Sequence, residues 1–88
     1  MVEKGAPEEK SVGEVTHYFS HINVMAIHLT DRLAVGDRVH VVGHTTDLAC
    51  TIGSMQVEHQ PVTQAGPGAS IGVKVDGKVR PGDHVYRA

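Results

Sequence analysis

The sequence contains few of the residues on which several classes of site depend. It has one cysteine, no tryptophan and three aromatic residues in all. A single cysteine excludes an internal disulfide, and three aromatic rings make a thin platform for stacking bases. No stretch approaches the roughly 20 apolar residues that a membrane-spanning helix needs. We therefore expect neither a disulfide framework nor a membrane partner.

The chain also lacks a basic excess. Its net charge is −2, whereas domains that hold nucleic acid by charge alone carry clear positive charge, so a DNA partner is not expected. The opening MVEKGAPEEK is charged and has no apolar run, which predicts neither a signal peptide nor an anchor. We expect residues 1–10 to be a disordered leader, residues 11–88 to form one domain, and the protein to be cytoplasmic.

Valine is the residue present in abundance. The chain carries 14 Val and 4 Ile against 3 Leu, and β-branched side chains suit a pleated sheet. No apolar pattern of helical period persists beyond about two turns. A chain of 88 residues buries only about 60–65% of its unfolded surface, and closing the sheet satisfies hydrogen bonds that open edges would leave bare. The pattern predicts an all-β fold in a small closed barrel.

Alternating apolar residues place the strands, and their phase predicts which side chains face inward. Val15, His17 and Phe19 are expected on one face of the first strand. The second strand is apolar on both faces, so either the barrel or a partner must cover its second face. The predicted strands are residues 12–19, 22–29, 38–42, 48–59, 71–75 and 84–87.

Three local signals refine this pattern. Leu48, Cys50 and Ile52 share a phase that has slipped by one residue before Met55, which predicts a bulge or bend at Gly53. Cys50 is accordingly expected to be a buried, unreactive thiol. Residues 33–40 and 79–86 both read apolar–x–x–Gly–Asp–x–Val, which suggests the same turn used twice. Residues 60–68 hold two Pro and two Gly and are expected to be a loop.

Seven histidines raise the question of a metal site or a catalytic group. No Cys or His pair has the tight spacing of a zinc finger, so we expect scattered histidines, no metal site and no cofactor. Residues 43–47, Gly-His-Thr-Thr-Asp, offer a nucleophile, a base and a carboxylate, but neighbours in a tight loop seldom reach catalytic geometry. We expect an ordinary turn, no catalytic residue and no enzyme.

Two surfaces are candidates for binding. An apolar second face needs a cover, and methionine adapts to varied partners. The candidates for a surface that binds a protein are Met25, His44, Thr45, Thr46, Met55, Gln56 and His59. Basic and aromatic side chains near the carboxy terminus could bind RNA, and these candidates are Tyr18, Lys74, Lys78, Arg80 and Arg87, with Tyr86 beside them.

The Gly–Asp turns and their surroundings resemble a known family. "VGDRVHVVG", "TIGSMQVEH" and "AGPGASIGVKVDGKVRPGDHVY" resemble domain 2 of elongation factor Tu. The resemblance implies a closed, antiparallel Greek-key barrel of six or seven strands. "VGEVTHYFSHINVMAIHL", "GHTTDL" and "SMQVEHQPV" resemble the carboxy-terminal barrel of the collagenase-like peptidase family, and equally the short translation elongation factor-like proteins. The chain has no Gly-x-x-x-x-Gly-Lys-Ser/Thr loop for nucleotide phosphates.

These resemblances imply a translation-linked setting but no catalysis. The first hypothesis is a non-catalytic adaptor that docks on a protein or ribonucleoprotein of the translation machinery. Two alternatives stay open: an RNA-binding module, and a detached accessory domain of a collagenase-like peptidase or RNA-modifying enzyme.

Overall fold

The computed structural model describes residues 10–87, which contain strands and no helix. The all-β prediction is therefore confirmed. Of the predicted leader, only Lys10 lies within the described residues, and it begins the first strand. The strands are β1 (Lys10–Phe19), β2 (Val24–Leu29), β3 (Leu33–Ala34), β4 (Arg38–Val42), β5 (Asp47–Thr51), β6 (Met55–Val57), β7 (Gln60–Val62), β8 (Gln64–Ala65), β9 (Ser70–Lys74) and β10 (His84–Arg87).

Eight of the strands form one curled antiparallel sheet in the order β5-β4-β10-β1-β2-β9-β6-β7, and β3 pairs with β8 in a small second sheet. The eight-stranded sheet is a half-barrel whose end strands, β5 and β7, do not pair with each other. The closed barrel of six or seven strands was therefore wrong in both closure and strand number. Proline at position 61 helps to explain this, because it supplies no N–H for a further strand beside β7.

Apolar side chains on the concave face of the half-barrel form one continuous core. They come from alternate positions of β2, β4 and β9, from two residues of β1, from single residues of β3, β6 and β10, and from the loops. Met25 and Met55 are among them and are at most 1% exposed. The core comprises Val12, Val15, Met25, Ile27, Leu29, Leu33, Val39, Val41, Ile52, Met55, Ile71, Val73, Val75, Val79 and Val85.

Strand β1 contains two register irregularities. Because of the second one, the side chains after it face the opposite way from the prediction. The pairing of β1 with β10 skips Val12, and its pairing with β2 skips Thr16. An extra residue reverses the side-chain alternation beyond it. Val15 accordingly faces the core, whereas His17 and Phe19 are exposed.

The slip predicted at Gly53 is present as a break between two strands. β5 ends at Thr51 and pairs with β4, whereas β6 begins at Met55 and pairs with β9 and β7. The predicted single strand 48–59 is thus divided between distant parts of the sheet. The predicted loop 60–68 instead contains β7, which a tight hairpin turn at residues 58 and 59 pairs with β6, and β8, which pairs with β3.

The two Gly–Asp turns have the same hydrogen bonds, as their sequences suggested. Gly36 and Gly82 have φ of +98° and +95°. The Asp37 carboxylate accepts the N–H of Ala34 at 3.0 Å, and that of Asp83 accepts the N–H of Arg80 at 2.8 Å. The same motif thus forms the same local structure at the entrance to β4 and to β10.

Each turn is also held through two backbone hydrogen bonds to one residue of a neighbouring segment. Gly82 N–H donates to Val15 O, and Val15 N–H donates to Asp83 O, both at 2.8 Å. Gly36 and Asp37 make the corresponding exchange with Ile52, also at 2.8 Å. The motif therefore positions β4 and β10 as well as starting them.

Replacing Gly43 by alanine should destabilise the fold, because a Cβ there would overlap the buried carboxylate of Asp83. We expect Gly43→Ala to lower the free energy of unfolding by about 2 kcal/mol or more, as over-packing at a rigid site does. Urea unfolding followed by circular dichroism measures it. Gly53→Ala is the matched control, since a Cβ at Gly53 meets no atom within 4 Å. Equal stability of the two variants would contradict the prediction.

Candidate functional site

An apolar groove lies on the convex face of the sheet, outside the core. This groove, the outer groove, has a volume of about 320 Å³. Strands β2, β9 and β6 form its floor, and the turns after β1 and β6 form its walls. The lining residues are Phe19, Ile22, Val24, Ala26, Gln56, Glu58, His59, Ser70, Ile71 and Gly72.

Strand register explains why these residues meet. Ala26 pairs with Gly72, and Gly72 pairs with Gln56, so one row crosses three strands, and two of its three residues are alanine and glycine. Val24 pairs with Phe19 of β1 and forms the next row. A Cβ on Gly72 would meet only Val24 Cγ1, at an ordinary 3.5 Å. Packing therefore does not require glycine there, and its missing side chain deepens the groove floor.

The bulge at Thr16 supplies the aromatic wall of the groove. Because the side-chain alternation reverses there, Phe19 turns outward and stacks on His17 with ring centroids 5.5 Å apart. Phe19 is 46% exposed, and Ile22, in the following turn, is 56% exposed. The second apolar face of β2, which the sequence predicted to need a cover, is thus left open by the described residues.

The opposite wall of the groove is a strained hairpin turn. Glu58 and His59 join β6 to β7 with φ of +51° and +66°. Two consecutive positive φ values are typical of a type I′ turn, which normally takes Asn-Gly. In residues that have a Cβ atom, this backbone conformation is sterically strained. The usual sequence signal for a hairpin is absent at these positions, so sequence reasoning missed both the turn and the wall.

The predicted protein-binding residues divide into three groups. Met25 and Met55 are core residues, and this corrects the expectation that they face a partner. Gln56 and His59 are exposed and line the outer groove. The remaining residues, His44, Thr45 and Thr46, lie in the loop between β4 and β5, where Thr46 is buried and the other two are exposed.

A second depression, the loop cleft, lies between the β4–β5 loop and the turn before β10. Its volume is about 540 Å³. His44 and Thr45, which were predicted to bind a protein, lie in this cleft together with Arg80, which was predicted to bind RNA. The His84 and Tyr86 rings lie beside them, with centroids 6.4 Å apart. The lining residues are Val42, Gly43, His44, Thr45, Arg80, Pro81, Gly82, Asp83, His84 and Tyr86.

The predicted RNA-binding residues do not all share this cleft. Lys74 pairs with Val24 near the end of β1, whereas Arg87 pairs with Lys10 at its start. Nine residues of strand separate these two positions, roughly 30 Å at 3.3 Å per residue. Arg87 also lies near Asp37, with Nε and Oδ2 3.9 Å apart. Tyr18 packs against the core and Lys78 is exposed, so only Arg80 lies in the loop cleft.

The histidines and the cysteine are scattered over residues 10–87 rather than gathered as metal ligands. That part of the chain contains no group of three or more His, Cys, Asp or Glu that could hold a metal ion. In the β4–β5 region the Asp47 carboxylate contacts His40 at 2.5 Å rather than His44. Burial, and secondarily the charge of Asp76, raises the pKa of the half-buried Cys50 thiol. Residues 10–87 contain no helix that is long and apolar enough to cross a membrane.

Comparison with known proteins finds curated relatives that carry protease and collagenase names. No family model matches the chain. An uncharacterized protease of Methanocaldococcus jannaschii is 36% identical over 76 residues, covering 85% of this chain and 19% of the relative. A collagenase of Porphyromonas gingivalis is 34% identical over 86 residues, covering 94% of this chain and 21% of the relative. The chain thus spans about a fifth of the length of these curated relatives.

Solved structures agree on the fold. The C-terminal domain of a candidate U32 peptidase from Geobacillus thermoleovorans superposes with a TM-score of 0.83, covering 90% of this chain and 99% of that one at 18% identity. The curated relatives carry protease and collagenase names, and the fold of the chain is that of the C-terminal domain of a candidate U32 peptidase. The resemblance to that family is supported, whereas the resemblance to elongation factor Tu domain 2 gains no support from them.

The strained turn in the groove wall predicts a stabilising double substitution. Glu58→Asn with His59→Gly should raise the free energy of unfolding by about 1–2 kcal/mol, because Asn and Gly adopt positive φ with less steric strain. The urea unfolding midpoint measures it. Gln60→Gly, one residue along and within β7, should instead lower stability. An unchanged midpoint in the double variant would show that the turn is not strained.

Proposed function

We propose that the chain is a non-catalytic accessory domain of a collagenase-like protein of the U32 peptidase type. In this proposal its outer groove docks on the remaining, catalytic part of such a protein, whether both parts share one polypeptide or are separate. The observation that carries the proposal is the open apolar groove. The relatives support it, because the matching segment is only about a fifth of each of them.

The groove has the properties of a protein-docking surface. Its centre is apolar, with Phe19 and Ile22 about half exposed, while Gln56, Glu58 and His59 form a polar rim. Interfaces commonly combine an apolar centre that contains an aromatic anchor with a polar rim. Exposed apolar side chains grouped in this way mark interaction sites more often than singly scattered ones do. In a relative, the other four fifths of the protein would be the nearest source of a surface that covers Phe19 and Ile22.

Docking can be tested with the Methanocaldococcus relative from which the matching segment has been removed. The wild-type chain should bind this remainder in calorimetric titration. Phe19→Ser with Ile22→Ser should bind at least about tenfold more weakly, because truncating a buried anchor typically removes 1–2 kcal/mol or more. Both side chains are exposed in the free chain, so its stability should change little.

Two controls make that titration decisive. Val35→Ser is the matched variant, because Val35 is 40% exposed and lies outside the groove; its affinity should equal that of the wild type. The segment excised from the relative is the positive control. If that segment binds and this chain does not, or if Val35→Ser weakens binding as much as the double variant, groove docking is refuted.

A second candidate function, RNA binding, is favoured by the loop cleft alone. There an arginine, two histidines and a tyrosine surround one depression, and single-stranded RNA is held by cations beside stacking rings. Titration with transfer RNA at about 50 mM salt should show dissociation constants of about 10⁻⁴ to 10⁻⁶ M.

In that titration Arg80→Ala should reduce the affinity several-fold and lower the salt dependence by about one counterion. Arg32→Ala, at an exposed arginine outside the cleft, should leave both unchanged. No measurable binding by the wild type, or an equal loss in both variants, would remove RNA as a candidate.

A further inference from the structure

The free edge of β5 presents backbone groups in a defined order. At one end of the β4–β5 pair Ile52 N–H donates to Asp37 O at 2.8 Å, and at the other Gly43 N–H donates to Thr46 O at 2.9 Å. Hydrogen-bonded and non-bonded pairs alternate along an antiparallel ladder. Cys50 and Leu48, which pair with Val39 and Val41, are therefore the β5 residues bonded to β4.

The other three β5 residues point their backbone N–H and C=O groups away from β4. These residues are Asp47, Ala49 and Thr51, and all three have exposed side chains. β5 ends the sheet, and no strand within residues 10–87 pairs with its outer edge. Asp47, Ala49 and Thr51 are compact and none is proline, so another strand can approach closely. Such an edge is a template for strand addition.

The opposite edge of the sheet lacks this property. Val57 and Gln60 flank the two-residue turn and pair with each other, so the alternation makes Pro61 the β7 residue that faces outward. Proline has no N–H to donate, which blunts the edge. Of the two end strands, only β5 can accept a full partner strand.

We propose that two copies of the chain associate in solution by antiparallel pairing of their β5 strands about a two-fold axis at Ala49. In this register Ala49 faces Ala49 of the second copy, and Asp47 faces Thr51 of the second copy. Three bonded pairs form, each exchanging two hydrogen bonds, which gives six. Shifting the register by two residues leaves one outward residue of each copy unpaired, so the symmetric register uses the edge most completely.

Charge complementarity selects a second copy over an unrelated strand. Arg38 of β4 is paired with Thr51 and is exposed on the same convex face. Pairing of β5 with β5 therefore aligns Arg38, Thr51 and Asp47 of the second copy in one cross-strand row, and the Asp47 carboxylate in that row also contacts His40 of its own chain at 2.5 Å. The two-fold axis generates a second, equivalent row, in which Asp47 of the first copy faces Thr51 and Arg38 of the second. Opposite charges thus flank both ends of the interface, and its centre is the small Ala49 pair.

Sedimentation equilibrium between about 1 μM and 1 mM protein tests the proposal on the chain itself. A small interface of this kind should give a concentration-dependent monomer–dimer equilibrium. Ala49→Pro removes the N–H at the two-fold axis without removing a bond to β4, so it should leave only monomer. If Ala49→Pro does not fold, as judged by circular dichroism, the variants at Thr51 decide the matter.

Because Thr51 faces Asp47 of the second copy, a negative charge at position 51 should weaken the dimer and a positive charge should strengthen it. Thr51→Asp should raise the dimer dissociation constant about 3- to 10-fold, through two like-charge pairs, and Thr51→Lys should lower it by a similar factor. Thr63→Asp, at an exposed residue outside β5, should have no effect. A wild-type chain that stays monomeric to about 1 mM, or a dimer indifferent to the sign of the charge at position 51, would overturn the proposal.

Discussion

The irregular register of β1 is the constraint on which the rest of the structure depends. β1 lies between β10 and β2 near the middle of the sheet, and it carries one extra residue toward each of them. Bulges bend a strand and increase its local twist. The sheet consequently curls around the valine-rich core. Beyond the bulge at Thr16, Phe19 is turned from the core to the surface. The same irregularity therefore shapes the core and supplies the main aromatic side chain of the groove.

Close backbone approaches hold β1 in this position. A Cβ on Gly13 would lie 2.7 Å from His28 O and from Ile27 Cγ2, so glycine lets β2 come near. The Val12 carbonyl accepts hydrogen bonds from Thr30 and Asp31, at 2.8 and 3.3 Å. On the other side, the second Gly–Asp turn exchanges two hydrogen bonds with Val15. Backbone contacts on both sides thus determine where β1 can bend.

The half-barrel leaves different surfaces free for different interactions. The outer groove is apolar and lies over β2, β9 and β6, whereas the free edge of β5 offers backbone hydrogen bonds at the far end of the strand order. A domain with both can dock on a larger protein through one surface and pair with another copy through the other. Strand edges and grooves are recognised through different interactions, hydrogen bonding in one case and apolar burial in the other. Neither surface uses the core residues Met25 and Met55.

The amino-acid sequence by itself determined the fold class, the burial of valine and isoleucine at alternate positions, and the turns that begin β4 and β10. It did not place Met25 and Met55, which were expected at a binding surface and lie in the core, whereas the Gly–Asp pairs specify their own local geometry. Tertiary structure decided the rest. The outward face of Phe19 depends on one extra residue in β1, and the hairpin at Glu58 and His59 forms without its usual residues. The bulge in β1 and the turn at Glu58 and His59 are local conformations that depend on pairing with β2 and β9 and on packing against the core. A sequence pattern reports which residues prefer burial, but strand partners decide the register, and the register decides which side chains meet at a surface.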